Sequence, residues 1–216
     1  HIRSRRQRQM CIRDSSWCLD AMVRTASRMN ATVLDCCQTN WSRETHAMLY
    51  MVEMELPDRA RLDEWHGWYN GHIGKLLSVD GYDGGQRFQA VGECDSPFLA
   101  IHDVSGPDLF ESEQYKSVGG PSGTGEWRTL MSNWHRNLFD GMDALPAVGE
   151  GQLLLLAADG AALPSALAER VRWVESIGLD RTIPRRGVLI VDEGAAATFR
   201  SAHSVTLYKP ITPKFT

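Results

Sequence analysis

Cysteine is scarce over most of this chain. Four of the five cysteines (Cys11, Cys18, Cys36, Cys37) come before residue 38, and only Cys94 follows. One thiol makes neither an internal disulfide nor a cysteine-based metal site, so the redox compartment is unconstrained and the cytoplasm is the default location. Long apolar runs are also missing. A run such as Leu153–Ala158 falls far short of the roughly 20 residues a membrane-spanning helix needs, and no secretion signal is expected. Positive charge is in short supply: from Met48 onward there are 15 basic and 23 acidic residues. That excludes the positive field that nucleic acid or an anionic membrane surface requires. The familiar catalytic signatures are absent too. There is no Ser-His-Asp order, no paired carboxylates, no Gly-x-Gly-x-x-Gly and no His-Glu-x-x-His. The Gly119–Gly125 run lacks the Lys-Ser/Thr ending of a phosphate-binding loop.

What is present begins with a leader of a different character. The string at residues 5–15, RRQRQMCIRDS, is what a common sequencing-library adapter with its transposon end gives on translation. It is set aside from fold reasoning as such segments are. Residues 16–47 show no sustained helical or alternating pattern, so 1–47 is expected to be a non-native or disordered leader, with Met48 as the start.

Turn residues divide the remainder. Leu49–Glu55 reads as a strand covered on both faces. Asp58 caps a helix from Arg59 to Ser78. Gln86–Val91 and Phe98–Val104 read as strands, with His102 on the same face as Phe98 and Ala100, and Asp103 opposite. A short helix over Pro107–Tyr115, a connecting loop or lid at Gly119–Gly125, a helical turn over Glu126–Met131 and a strand at Asn133–Asp140 follow. The order strand, helix, strand, strand, helix, strand is that of a ferredoxin-like unit. Residues 143–150 read as a linker. The order then restarts with a strand at Leu153–Ala158. A helix opens at Pro164, with a stripe of Leu163, Leu167, Val171, Val174 and Ile177. Paired strands at Arg181–Arg185 and Val188–Asp192, a short helix at Ala195–Ala202 and a strand at Val205–Tyr208 complete it. The expected fold class is α+β: two ferredoxin-like (βαββαβ) units in tandem, 48–142 and 151–216. Each has one bare sheet face, and burying both packs the antiparallel sheets face to face as a pseudo-dimeric α+β barrel.

The richest stretch is Trp65-His66-Gly67-Trp68-Tyr69-Asn70-Gly71-His72-Ile73. At about 100° per residue, Trp65, Trp68, Tyr69, His72, Ile73 and Leu76 share one helical arc, with His66 at its edge. His66 and His72 stand about 120° apart, too far round to bind one metal from a single face. An imbedded imbalance of this kind, an ionisable imidazole among indoles and a phenol, has two readings: a hydrogen-bonded core residue, or a pocket base whose pKa burial lowers.

Residues 48–142 resemble the EthD-like branch of the dimeric α+β barrel superfamily. The likeness is carried by the opening strand Met48–Glu55, by Trp65, Trp68-Tyr69 and His72-Ile73, by Phe98–Val104 and by Gly125-Glu126-Trp127. Residues 151–212 fit as a second, degenerate unit by element order only. Members usually pair two units sheet to sheet; here both are fused. Where relatives often carry acidic residues between Tyr and His, this chain has Asn70-Gly71. The resemblance implies a small-molecule-binding barrel: a cofactor-independent oxygenase, isomerase or cyclase acting on an aromatic or polyketide-like carbonyl compound. The alternatives are a non-catalytic structural or ligand-binding barrel and a haem-binding barrel.

The expected site has His72 moving a proton and Tyr69 hydrogen-bonding an oxygen. Trp65 and Trp68 form its walls and His66 its rim. His102 and Arg136, if they face the same cavity, add a proton carrier and an anion clamp. No cofactor and no metal is expected. The expected partner is a small-molecule ligand rather than nucleic acid or a membrane, with homo-oligomerisation left open.

Overall fold

A computed structural model describes residues 47–196 and 204–216. The leader expectations, and the end of the helix expected at Ala195–Ala202, lie outside the described residues.

Eight strands close into an antiparallel barrel in the ring order β1-β3-β2-β8-β5-β7-β6-β4. They are β1 Met48–Glu55, β2 Tyr82–Ala90, β3 Phe98–Val104, β4 Ser132–Asp140, β5 Gln152–Ala158, β6 Arg172–Leu179, β7 Arg185–Asp192 and β8 Val205–Pro210. The ring is sealed by β1 with β4, where Tyr50 stands opposite Leu138, and by β2 with β8, where Gln89 stands opposite Lys209. Among the described residues every strand therefore has a neighbour on both sides.

Alternation along each strand sorts side chains to two sides. Leu49, Met51, Phe88, Leu99, Ile101 and Phe139 point inward, where they meet Leu154, Leu156, Val174, Val188 and Tyr208 from the other half of the ring. The opposite face of β1 (Tyr50, Val52, Met54) packs outward beneath a helical layer. A third cluster around Leu153, Leu155 and Leu189 covers the outside of the second half. The segment 141–151 carries Leu145 and Val148 into the barrel core. Gln86 bonds both backbone groups of Val148, and Asp103 accepts from the Leu145 N–H at 2.9 Å and pairs with Lys214.

The long helix, α1, runs Leu62–Leu76 after a 3-10 turn at Arg59–Arg61. Asp58 accepts from the Ala60 N–H, Asp63 and Glu64 sit in the first turn, and Lys75 in the last, which suits both ends of the helix dipole. Where a single short helix was expected over Pro107–Tyr115, there is a 3-10 turn at Pro107–Glu111 and then α2, Glu113–Val118. The glycine-rich stretch is not an open loop: it winds into α3, Gly120–Thr124. Next come α4, Trp127–Leu130, α5, Ser165–Ala168, and α6, Glu193–Ala196.

The second half corrects two expectations. The helix expected to run from Pro164 to Ile177 ends after Ser165–Ala168, and Arg172–Leu179 is a strand. Val174 and Ser176 are buried there while Arg172, Glu175 and Ile177 are exposed. That is a period of two, and the pairing of β6 with β4 and β7 outweighs the helical spacing of the aliphatics. Residues 180–184 are consequently the turn between β6 and β7 rather than a strand, and Arg185 opens β7; Leu179 and Arg181 are in left-handed backbone (φ 63° and 48°).

Candidate functional site

Between α1 and the outer face of the first-half strands lies an internal cavity of about 30 Å³. Tyr50 and Val52 from β1, His102 from β3, and Trp134 and Arg136 from β4 form its floor. Trp68, Tyr69 and His72 line it from α1, while Tyr115, Gly120 and Thr124 close it from the connecting helices. The cavity exists because β1, β3 and β4 point every second residue at the helical layer, and α1 returns its aromatic arc to the same place at a period of 3.6.

His72 is buried, its imidazole stacked on Trp68 with centroids 5.1 Å apart and planes 10° from parallel. Burial, reinforced by the charge of Lys75, brings its pKa down to about 4. His72 is therefore neutral at pH 7 and offers a lone pair. His102 is deeper still. Burial, then the neighbouring His72 and Arg87, lower its pKa to about 3. Its Nδ1 is buried with no hydrogen-bond partner among the described residues. The ring fits because its register partner is Gly85, where a Cβ would sit 2.5 Å from that nitrogen. A pair of glycines within a strand signals such close approach.

Three phenols complete the lining. Burial raises Tyr69 to about 12, against the lowering effect of the Arg87 guanidinium, which lies 4.3 Å from its ring centroid. Burial also raises Tyr50 and Tyr115, whose hydroxyls are hydrogen-bonded to one another. All three are thus protonated donors at neutral pH. The sequence reading passed over Tyr50 and Tyr115 as site residues. Tyr50 gave one usable sign, a hydroxyl on the face of β1 shared with Val52 and Met54.

The structure thus gathers five of the expected residues, His72, Tyr69, Trp68, His102 and Arg136, around one cavity. It places the other two elsewhere. Trp65 is fully buried against Phe98, at 4.8 Å between centroids, and packs in the core beside the cavity. His66 accepts from Arg87 through Nδ1 at 2.9 Å, and Arg87 also donates to Asn70 at 3.0 Å. A guanidinium only donates, so the proton of neutral His66 is on Nε2. Arg136 is half-buried, and its guanidinium bonds Asp180 at 3.2 Å. His135 points away, toward a depression near Glu53 and Cys94. Among the described residues no cluster of three His, Cys, Asp or Glu side chains could hold a metal ion, and no helix is long and apolar enough to cross a membrane.

The class these features define is a closed eight-stranded antiparallel α+β barrel with a small, mainly apolar-walled cavity that carries a few polar groups under its helical layer. No family of known proteins matches the sequence, and no curated protein is similar to it. Solved structures of related shape include a candidate monooxygenase from Lactobacillus acidophilus NCFM, 6% identical, covering 78% of this chain and 95% of that one at a TM-score of 0.48. A candidate chlorite dismutase is 11% identical, with coverage of 77% and 95% and a TM-score of 0.48. An anthrone oxidase-like protein is 8% identical, with coverage of 78% and 92% and a TM-score of 0.44. Likeness at this level does not bear on residues or chemistry.

Proposed function

We propose that this chain is a small-molecule-binding barrel of the dimeric α+β type, with two ferredoxin-like units in tandem. We further propose that it acts as a cofactor-independent oxygenase, isomerase or cyclase on an aromatic or polyketide-like carbonyl compound. The architectural part is supported by the ring order: β4-β1-β3-β2 and β8-β5-β7-β6 follow the same internal sequence of first, second, third and fourth strands. The chemical part rests on one observation, the neutral imidazole of His72 in a cavity that also holds three phenols and an arginine.

In this reading His72 accepts a proton from the ligand. A neutral imidazole whose pKa is lowered by burial is a weak base, so the C–H it deprotonates must be acidified by donors that stabilise the enolate oxygen. Tyr69 donates to the oxygen where enolate charge develops, and Arg136 supports that charge at the cavity edge. Trp68 holds the imidazole by stacking. Haem does not fit: the space beside His72 is about 30 Å³, and Trp68 already covers one face of the ring.

The test is hydrogen exchange. Enolisable aromatic ketones are incubated with the protein in deuterium oxide, and exchange beside the carbonyl is followed by NMR. The protein is expected to accelerate exchange of at least one such ketone. His72→Ala, checked for a retained cooperative melt, is expected to lose about 100-fold or more of that rate. No acceleration, or full activity in His72→Ala, removes the catalytic reading. A second reading, a barrel that binds without catalysis, is favoured by the cavity's size, since about 30 Å³ holds little more than water.

A further inference from the structure

Beyond the inner cavity lies an outer chamber of about 290 Å³, open to solvent and lined by Phe110, Glu111, Lys116, Gly119 and Leu179. Tyr115, Gly120 and Arg136 line both spaces, so the wall between them is one phenol, one glycine and one guanidinium. The phenol is held in place from two sides. Its hydroxyl accepts from the Gly120 N–H and from Tyr50. Its ring lies on bare backbone at Gly119, where a Cβ would come within 2.5 Å of it. The chamber's cations are weakly committed. Lys116 meets the exposed Glu111 and Glu113 at 3.7 and 3.4 Å, and Arg136 meets Asp180 at 3.2 Å. The solvent-exposed Lys116 pairs contribute little, and the part-exposed Arg136–Asp180 pair leaves the guanidinium on the chamber wall, so an incoming anion can compete for both cations.

Resting on the reading of the inner cavity as the site, we infer that the site is bipartite and selects an anionic aromatic ligand. The ring end occupies the inner cavity, the acidic end sits in the outer chamber against Arg136 and Lys116, and Tyr115 is the partition that must withdraw. The inner cavity is too small for an aromatic ring while Tyr115 is in place. The outer volume is near the lower end of ligand pockets, which start at roughly 300 Å³. Tyr115 is therefore a specificity-determining residue, and Arg136, at the junction, distinguishes charged from neutral ligands.

Two fluorescent probes with the same ring system test this on the full chain: anilinonaphthalene sulfonate and its uncharged parent, phenylnaphthylamine. Every variant is first shown to melt cooperatively, so that probe binding reports the folded barrel. Tyr115→Ala is expected to tighten both probes, by about tenfold, by removing the wall. Arg136→Gln is expected to weaken the sulfonate by about tenfold or more, as loss of a charged hydrogen bond does, and to leave the neutral probe unchanged. Val52→Phe, which fills the inner cavity, or Leu76→Phe where that variant does not fold, is expected to weaken both. If Val52→Phe weakens both probes while Arg136→Gln treats them alike, or Tyr115→Ala changes neither, the bipartite inference fails and the inner site stands. If Val52→Phe binds both as the parent does, the inner site fails and the inference with it. A parent that binds neither probe overturns both.

Discussion

His72 and His102 are held neutral by burial, and that sets a pH dependence. Their folded pKa values, about 4 and about 3, lie below the ordinary 6.5. Below that ordinary value the unfolded chain takes up protons that the folded chain refuses. The stability these residues contribute is thus complete above about pH 6.5 and is lost as pH falls toward their folded values, at up to about 1.4 kcal/mol per pH unit for each. The urea midpoint is expected to drop between pH 7 and pH 5, and to drop less in His72→Gln or His102→Gln. Equal drops in parent and variants would show that these imidazoles titrate normally. A second residue-scale feature crosses the barrel interior. Arg186 on β7 donates to both oxygens of Glu53 on β1, at 2.7 and 2.8 Å, with both side chains about nine-tenths buried. Arg186→Met leaves the carboxylate buried without its partner, at a cost of about 3–5 kcal/mol by urea unfolding. Glu53→Leu combined with Arg186→Met is expected to recover most of it.

At the scale of elements, α1 and α3 treat glycine oppositely. Gly67, Gly71 and Gly74 lie on the exposed side of α1, and a Cβ at any of them meets nothing within 4 Å. Gly71→Ala is therefore expected to raise stability by about 0.5–1 kcal/mol, read as a higher melting temperature. Gly123 has no such room. A Cβ there would sit within 2.9 Å of His72 Cε1 and would run into the Val118 carbonyl oxygen. Gly123→Ala must displace α3 and with it the roof over the cavity, so it should lower the melting temperature where Gly71→Ala raises it. The arc of α1 was legible in the sequence, because its spacing admits one period and Asp58 marks the start of the 3-10 turn that leads into it. The 164–177 stretch was not. Leu167, Val171, Val174 and Ile177 satisfy a helical period, whereas Val174 and Ser176 satisfy a period of two, and only the empty place between β4 and β7 chooses. His66 shows the same limit. Its position at the edge of the arc was readable, but its engagement by Arg87 depends on β2 passing beneath α1.

At the scale of the whole molecule, the inward side chains of the two halves cover one another. A fragment comprising residues 47–150 would expose Leu49, Met51, Phe88, Leu99, Ile101 and Phe139 to water, at about 25 cal/mol per Å². It is expected to self-associate rather than remain a folded monomer, as measured by size-exclusion chromatography with light scattering. Mixing it with residues 151–216 is expected to restore a one-to-one complex. A stable monomeric fragment would mean that the inward face is not the shared core.

The sequence by itself determined the strand alternation of the first half, the aromatic arc of α1 and the sharing of one strand face by His102 with Phe98 and Ala100. These follow from local periodicity, which needs no partner to be read. Tertiary structure alone decided that His102 and Arg136 face that arc, that β6 is a strand, that Tyr50 and Tyr115 meet over the cavity, and that Trp65 and His66 stand apart from it. Those outcomes depend on which surfaces remain to be covered once the ring has closed, and that is a property of the assembled barrel rather than of any one segment.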